Sequence, residues 1–359
     1  MNTVPADPAP HARAHARKAL LAPDAFKGTA SAPAVAAAMA TGARRAGWEG
    51  DRCPLSDGGE GFAEVLAAVP APAGDRAPGA WHQTTVTGPL GEPVVARWWM
   101  AGGVAVVESA AASGLPLAGG AEGNDPVGAT TRGTGELLVA AAGAGARRIL
   151  VGVGGSATTD GGRGAIEAVE DAGGLGGLDV VVACDVETRF VDAAEQFGPQ
   201  KGATPAQVVE LRARLSALAV ELADRYGVAV SDRRGGGAAG GLAGGLAALG
   251  AQLVPGFGVV ADAVGLEDRL AGVDVVVTGE GRLDASTWSG KVVDGVLTLA
   301  RKAGVPVLVV VGGLGPGGIE GVHAGVEVLS LTERFGGDRA RRDPAGCALE
   351  VVAEALAGR

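Results

Sequence analysis

Residues 147–164 read RRILVGVGGSATTDGGRG. The apolar run Ile149–Val153 has the length and composition of a buried strand. It breaks into Gly152, Gly154 and Gly155, passes through Ser156, Thr158, Thr159 and Asp160, and then enters a helical pattern that ends near Ala172. A strand that empties into small residues before a helix leaves backbone N–H groups unpaired. The helix N-terminus adds a favourable dipole, so the segment suits an anion. A tight turn with no ligand uses the same residue types, and the neighbouring stretches have to decide.

Working outward, strand–loop–helix units recur on both sides. Ala19–Pro23 reads as a short strand that ends in Asp24 and Lys27, and Ser31 is placed to cap an alanine-rich helix running to about Arg45. Asp57 and Glu60 lie in PLSDGGEG (54–61), just ahead of a helical stretch, Phe62–Val69. The pattern Asp-Gly-Gly-x-Gly returns at Asp160–Gly164, again before a helix. From Trp81 the texture turns to alternation, with strands expected at His82–Val86, Val94–Met100 and Val104–Glu108. The Pro/Gly/Ala stretch at 70–79 is a natural domain crossover. A polar loop, Asn124–Thr134, leads into a helix at Gly135–Ala146. Further strands are expected at Asp179–Cys184, Val273–Val277 and Val305–Val311. Helices are expected from Thr204 to about Tyr226, over the Gly/Ala-rich stretch Gly235–Gly250, from about Lys291 to Ala303, and from Pro344 onward. Strands alternating with helices make this an α/β protein with a largely parallel sheet or sheets.

Composition narrows the function. The chain has 359 residues, enough for two domains, and 63 glycines with 3% aromatics, so its core is built from Val, Leu, Ile and Ala. A net charge of −10 argues against a nucleic-acid partner. Three cysteines (Cys53, Cys184, Cys347) without metal-ligand spacing point to a reducing cytoplasm. Residues 1–17 read as a disordered tail without the apolar centre of a signal peptide. No apolar run reaches membrane-spanning length, which leaves a protein with no membrane partner.

The chemistry-bearing residues repeat one combination, a carboxylate, a lysine and glycine at a strand end. Five lysines stand against twenty-five arginines, and Lys27, Lys201 and Lys291 each sit beside a glycine. A compact ammonium charge at such places serves a phosphate. Gly290-Lys291 is followed by Val292, so there is no P-loop, and HExxH, GxSxG and HRD patterns are absent. Gly152-x-Gly154-x-x-Ala157 fits a permissive dinucleotide fingerprint, which keeps an NAD(P)-dependent oxidoreductase open. Lysines and backbone amides that neutralise phosphate, with carboxylates to hold Mg2+ and position an alcohol, make up the equipment of phosphoryl transfer. Each carboxylate also has a plain reading, as a turn or helix cap.

Ten motifs in order carry a resemblance: DAFKGT (24–29), SDGGEG (56–61), TGPLG (87–91), ESAAASGL (108–115), GTGEL (133–137), GVGGSATTDGG (152–162), ACDV (183–186), FGPQKGA (197–203), GAAGGL (237–242) and TGEGRLD (278–284). Together they resemble the bacterial-type glycerate kinase family (glycerate 2-kinase, type I) over roughly Leu20–Gly313. The resemblance implies ATP- and Mg2+-dependent phosphorylation of D-glycerate, 2-phosphoglycerate being the favoured product. It also implies two α/β domains, one inserted in the other, with the active site in the cleft between them. On this sequence the expected division is 18–78 with 273–359, and 79–272. A homodimer is compatible with it. Residue type and strand-end placement propose Asp185, Lys27 and Lys201 as catalytic, and Asp24, Asp57, Glu108 and Asp160 as substrate-binding. By the same argument Gly154, Gly155, Ser156, Thr158, Glu280, Asp284 and Lys291 are proposed for the nucleotide phosphates, and Asp57 and Asp160 for the metal. Three departures from the family pattern are visible: a shortened segment 187–196, Asp284-Ala-Ser-Thr in place of Asp-x-Gln-Thr, and Ser56 where alanine is common. The shortened segment keeps open a catalytically weakened, ligand-binding relative.

Overall fold

The computed structural model describes residues 16–69, 79–322 and 325–359. Most of the expected tail and of the 70–79 crossover lies outside the described residues. Two sheets organise the rest. The first contains β1 (Lys18–Pro23), β2 (Glu49–Arg52) and, much later in the chain, β9 (Val275–Leu283), β10 (Val307–Leu314) and β11 (Glu327–Ser330). All its pairings are parallel, in the order β2-β1-β9-β10-β11. The apolar runs of β1, β9 and β10 follow from this: a parallel sheet is covered on both faces, so its central strands are apolar throughout. On one face helices Ala32–Arg45 and Pro344–Ala357 pack together through Val35, Met39, Val351 and Val352. Gly42 permits that approach, because a Cβ there would stand 2.4 Å from the carbonyl oxygen of Leu349.

The second sheet is built from the intervening chain: β3 (Ala80–Thr87), β4 (Pro93–Ala101), β5 (Val104–Glu108), β6 (Arg148–Gly152), β7 (Asp179–Ala183) and β8 (Gln252–Val254). The strands lie in that order, with antiparallel pairs β3/β4 and β4/β5 followed by parallel pairs through β8. The alternating texture after Trp81 is thus a hairpin on the sheet's edge, where His82 stacks on Trp98 at 4.3 Å. Helices Arg132–Gly143, Arg163–Asp171 and Leu242–Ala248 cover one face. The other face shares an apolar cluster with the first sheet, in which Val106, Leu150 and Val181 meet helices Phe62–Ala67, Gly256–Val264 and Val292–Ala303. The long helix Pro205–Tyr226 opens with the expected Thr204 cap, completed by Gln207 into a reciprocal capping box.

The fold class is therefore α/β with two largely parallel sheets. One expected helix is much shorter: of Gly235–Gly250 only Leu242–Ala248 is helical, because Gly235, Ala239, Gly240 and Gly241 adopt positive φ. Helices Gly256–Val264 and Leu266–Leu270 and strands β2, β8 and β11 had no forecast. The strands are three or four residues long, too short to show a period.

Candidate active site

In the first sheet the chain leaves β1 toward β2 on one side and β9 toward β10 on the other, so β1/β9 is the point where strand order reverses. A crevice opens outside the carboxyl ends of strands at such a point. Asp24 and Lys27 follow β1 there, and Glu280 lies in the last part of β9. In the second sheet β5, β6 and β7 run in register to Glu108, Gly152 and Ala183. Past those ends come Val153–Ser156 and Cys184–Val186. A cavity of about 590 Å3 draws on both edges, lined among others by Lys27, Asp57, Gly154, Ser156, Asp185 and Lys291. Gly58 is held at φ 88° against β7, where a Cβ would meet the carbonyl oxygen of Ala183 at 2.7 Å.

Charge is distributed unevenly around this cavity. Lys27 Nζ lies 3.7 Å from Asp57 Oδ2, and that carboxylate holds the lysine above its ordinary pKa. Asp57 Oδ1 accepts the N–H of Gly59 at 3.0 Å. Asp185 Oδ1 and Oδ2 accept the N–H groups of Gly256 (2.7 Å) and Phe257 (3.2 Å). Burial, with Asp57 adding repulsion, pushes its pKa up to about 7. Asp24 is buried beneath the cavity and accepts the N–H of Ala25 at 2.7 Å. Burial first, then Asp57, pushes its pKa up to about 8. Glu280 accepts the hydroxyl of Thr287 at 2.6 Å, and burial pushes its pKa up to about 7. A fixed carboxylate whose proton affinity matches neutral pH is the equipment of a general base, and of these groups Asp185 is the one on the cavity wall.

The opposite requirement, donors for an anion, is met by the loop after β6. Among the described residues, the N–H groups of Gly154, Gly155 and Ser156 have no hydrogen-bond partner. Gly155 sits at φ 69°, the left-handed conformation that backbone nests for anions use, and Gly154, Gly155 and Ser156 all line the cavity. The helix behind it does not contribute as its sequence led one to expect. It begins only at Arg163, and Asp160 already occupies its first turn, accepting the N–H groups of Gly162 (3.0 Å) and Gly164 (3.2 Å). The remaining capacity of Asp160 goes to the N–H and hydroxyl of Thr131, at 2.9 and 2.8 Å. Lys291 reaches the cavity while donating to Ser286 Oγ at 3.0 Å.

Of the sequence-proposed residues, Lys27, Asp57, Gly154, Gly155, Ser156, Asp185, Lys201 and Lys291 come together on this cavity. Asp24 and Glu280 lie behind it, near Lys27. Asp160 is spent on backbone and hydroxyl donors, and Asp284 caps its own turn by accepting from Ser286 at 2.9 Å and 2.7 Å. Thr158 offers its carbonyl oxygen, not its hydroxyl, to Lys201. Glu108 accepts the N–H of Ala63 at 2.8 Å and lines a second cavity of about 350 Å3 with Glu60, Glu64 and Arg97. Among the described residues no three His, Cys, Asp or Glu side chains gather as a metal cluster. The site also contains residues that sequence reasoning passed over. Phe197 and Gln200 lay inside the quoted motif FGPQKGA, Leu115 at the end of ESAAASGL and Ala239 inside GAAGGL, but none of the four carries a charged group that strand-end chemistry would single out.

The sequence profile described as the glycerate kinase family matches residues 19–172 and 170–357. The chain belongs to the glycerate kinase family. Glycerate 2-kinase of Escherichia coli (strain K12) is 40% identical to it over 333 residues, covering 83% of this chain and 85% of that one. Glycerate kinase of Bacillus subtilis (strain 168) is 38% identical over 333 residues, with the same coverage of 83% and 85%. A crystal structure assigned as glycerate kinase 2 from Salmonella typhimurium LT2 superposes with a TM-score of 0.76 at 34% identity, covering 96% of this chain and 98% of that one. Segment 187–196, expected to be shorter than in the family, forms a turn, Phe190–Asp192, and enters a helix, Ala193–Phe197, with Phe190 buried.

Proposed function

We propose that this kinase transfers the terminal phosphoryl group of ATP to the 2-hydroxyl of D-glycerate. The observation that carries the reading is the pairing, on one cavity, of a proton-accepting carboxylate (Asp185) with unpaired loop amides and the ammonium groups of Lys27 and Lys291. The hydroxyl oxygen forms a bond to the γ-phosphorus, the bond from that phosphorus to the leaving oxygen of ADP breaks, and the hydroxyl proton passes to Asp185. Little covalent chemistry is asked of the protein, so positioning and charge neutralisation supply most of the rate. The amides of Gly154–Ser156 hold phosphate oxygens. Lys27 and Lys291 balance the charge of phosphate and substrate carboxylate. Lys27 also restrains Asp57.

Mg2+ fits these residues. It needs only one or two carboxylates when substrate phosphates complete its shell, and Asp57 and Asp185 repel each other across the cavity in its absence. Asp57 would hold the ion, which supplies neutralisation of the charge developing on the phosphate oxygens. We assign Asp160, with its four donors already in place, to fixing the loop instead. Sheet membership supports the domain division 18–78 with 273–359, and 79–272, since every strand from 80 to 254 joins the second sheet. Among the described residues no helix is long and apolar enough to cross a membrane. We place the enzyme in the cytoplasm, where glycerate and ATP meet, and retain the homodimer as a proposal that size-exclusion chromatography with light scattering decides.

The test is ADP release from Mg-ATP with and without D-glycerate. Release that depends on glycerate supports the reading. Its absence, or a glycerate-dependent absorbance change with NAD(P)H, contradicts it.

A further inference from the structure

Lys201 is 3% exposed, its Nζ donates to neutral acceptors, and Asp160 is the charged group that acts on it from a distance. Its Nζ donates to Ser156 Oγ at 2.9 Å and to the carbonyl oxygen of Thr158 at 2.6 Å. From the other side, Asn124 Nδ2 donates to the carbonyl oxygen of Ala157 at 3.0 Å and to that of Lys201 at 2.9 Å. These side chains thus hold three consecutive residues, 156–158, directly after the amides of Gly154 and Gly155. The two supports are themselves joined through backbone: Gly202 lies so close to Ala121 that a Cβ would meet its carbonyl oxygen at 2.2 Å. The N–H of Ala157 completes the attachment by donating to the carbonyl oxygen of Ser113 at 2.9 Å.

We propose that Asn124 and Lys201 are positioning residues that latch the loop Ser156–Thr158, and that they serve phosphate transfer through the conformation of that loop, not by touching the substrate. This rests on the reading of Gly154–Ser156 as the phosphate-holding amides. A lysine buried without a carboxylate partner is costly. Burial drives its pKa down to about 7, opposed only by the more distant Asp160. An apolar side chain of the same length would fill the space without that cost, but it would leave the hydroxyl of Ser156 and the carbonyl of Thr158 unheld. Phosphoryl transfer depends on donor placement, and a displacement of about 1 Å costs on the order of 100-fold in rate.

The variants are Asn124→Ala, Asn124→Asp, Lys201→Met and the double Asn124→Ala/Lys201→Met. Asn124→Asp keeps the shape and removes both donors. Two readouts are taken: amide hydrogen exchange over 153–160 in the protein alone, and kcat and KM for Mg-ATP with D-glycerate. The latch predicts faster exchange at Ala157, whose N–H donates to Ser113, in all variants, with only a modest loss of melting temperature from the unheld carbonyls. It predicts KM for ATP raised roughly 10- to 100-fold in Asn124→Ala, an effect at least as large in Asn124→Asp, whose carboxylate would face the carbonyl oxygens of Ala157 and Lys201, and a double variant (Asn124→Ala/Lys201→Met) no worse than its more damaged single, because both act on one loop. A merely structural role would lower the melting temperature and leave KM of the folded fraction unchanged. Unchanged exchange with a collapse of kcat/KM in Lys201→Met alone, or losses that multiply in the double, would overturn the latch in favour of direct contact. If the parent shows no glycerate-dependent turnover, the functional reading fails, and hydrogen exchange still decides whether the loop is latched.

Discussion

Gly154 and Gly59 meet backbone to backbone across the cavity. A Cβ built on Gly154 stands 2.6 Å from the Cα of Gly59. The loop after β6, in the second sheet, and the loop that carries Asp57 are therefore in contact with no side chain between them, and that contact sets the spacing of the amides relative to Asp57 and Lys27.

Gly154→Ala cannot be accommodated by a rotamer change, because the obstacle is backbone. The loops have to separate by several tenths of an ångström, at a cost of about 1–3 kcal/mol as for other overpacked sites. Denaturant melts should show that loss, and kcat/KM should fall about 100-fold from misplaced donors. Parent-like values in both would mean that the loops do not touch in solution.

Asp185 is held by two backbone N–H groups, so Asp185→Asn keeps most of its packing and changes stability by about 1 kcal/mol. The same change removes the proton acceptor and lowers kcat by about 10²- to 10⁴-fold. In the parent, kcat/KM should rise with pH until the Asp185 pKa, about 7, and then level. A flat profile from pH 5.5 to 8 would remove Asp185 from the proton transfer.

Stability should move in the opposite direction. Asp24, Asp185 and Glu280 have folded pKa values of about 8, 7 and 7, above their ordinary 3.8, 3.8 and 4.5. Between those limits the native state binds more protons than the unfolded chain, so stability falls as pH rises. Lys201, with a folded pKa of about 7, is charged in both states below that and contributes no slope there. The free protein should therefore melt several degrees lower at pH 7.5 than at pH 5, and Mg-ATP should narrow the gap. A melting temperature that climbs over this interval would contradict the buried carboxyl cluster.

Phe190 tests whether segment 187–196 is part of the structure. It is fully buried against helix Pro205–Tyr226, and glycines 161, 241 and 244 leave room for its ring. Phe190→Ala should cost about 3–5 kcal/mol by denaturant titration. A loss below about 1 kcal/mol would mean that the segment is not docked.

What could be read in the sequence was what periodicity and strand-end chemistry expose. The apolar runs of β1, β6, β7, β9 and β10 announced a parallel α/β protein, and the residues just past their ends (Lys27, Gly154–Ser156, Asp185) do converge on the cavity. What could not be read was where a carboxylate spends its hydrogen bonds. Asp57 and Asp160 sit in the same Asp-Gly-Gly-x-Gly pattern, yet Asp57 faces the cavity and Asp160 is consumed by Thr131 and a helix start. Lysines were equally deceptive, since the buried Lys201 and the exposed Lys27 both stand beside glycine. Asn124 carried no signal, because its two carbonyl partners are 33 and 77 residues away.

The most direct test of the central claim is the identity of the product. Incubating the protein with Mg-ATP and D-glycerate and following the mixture by 31P and 1H NMR should show ATP converted to ADP in step with a single new phosphate ester on C2, its rate of appearance cut about 10²- to 10⁴-fold in Asp185→Asn. An ester on C3, or ATP consumption with no glycerate ester, would contradict it.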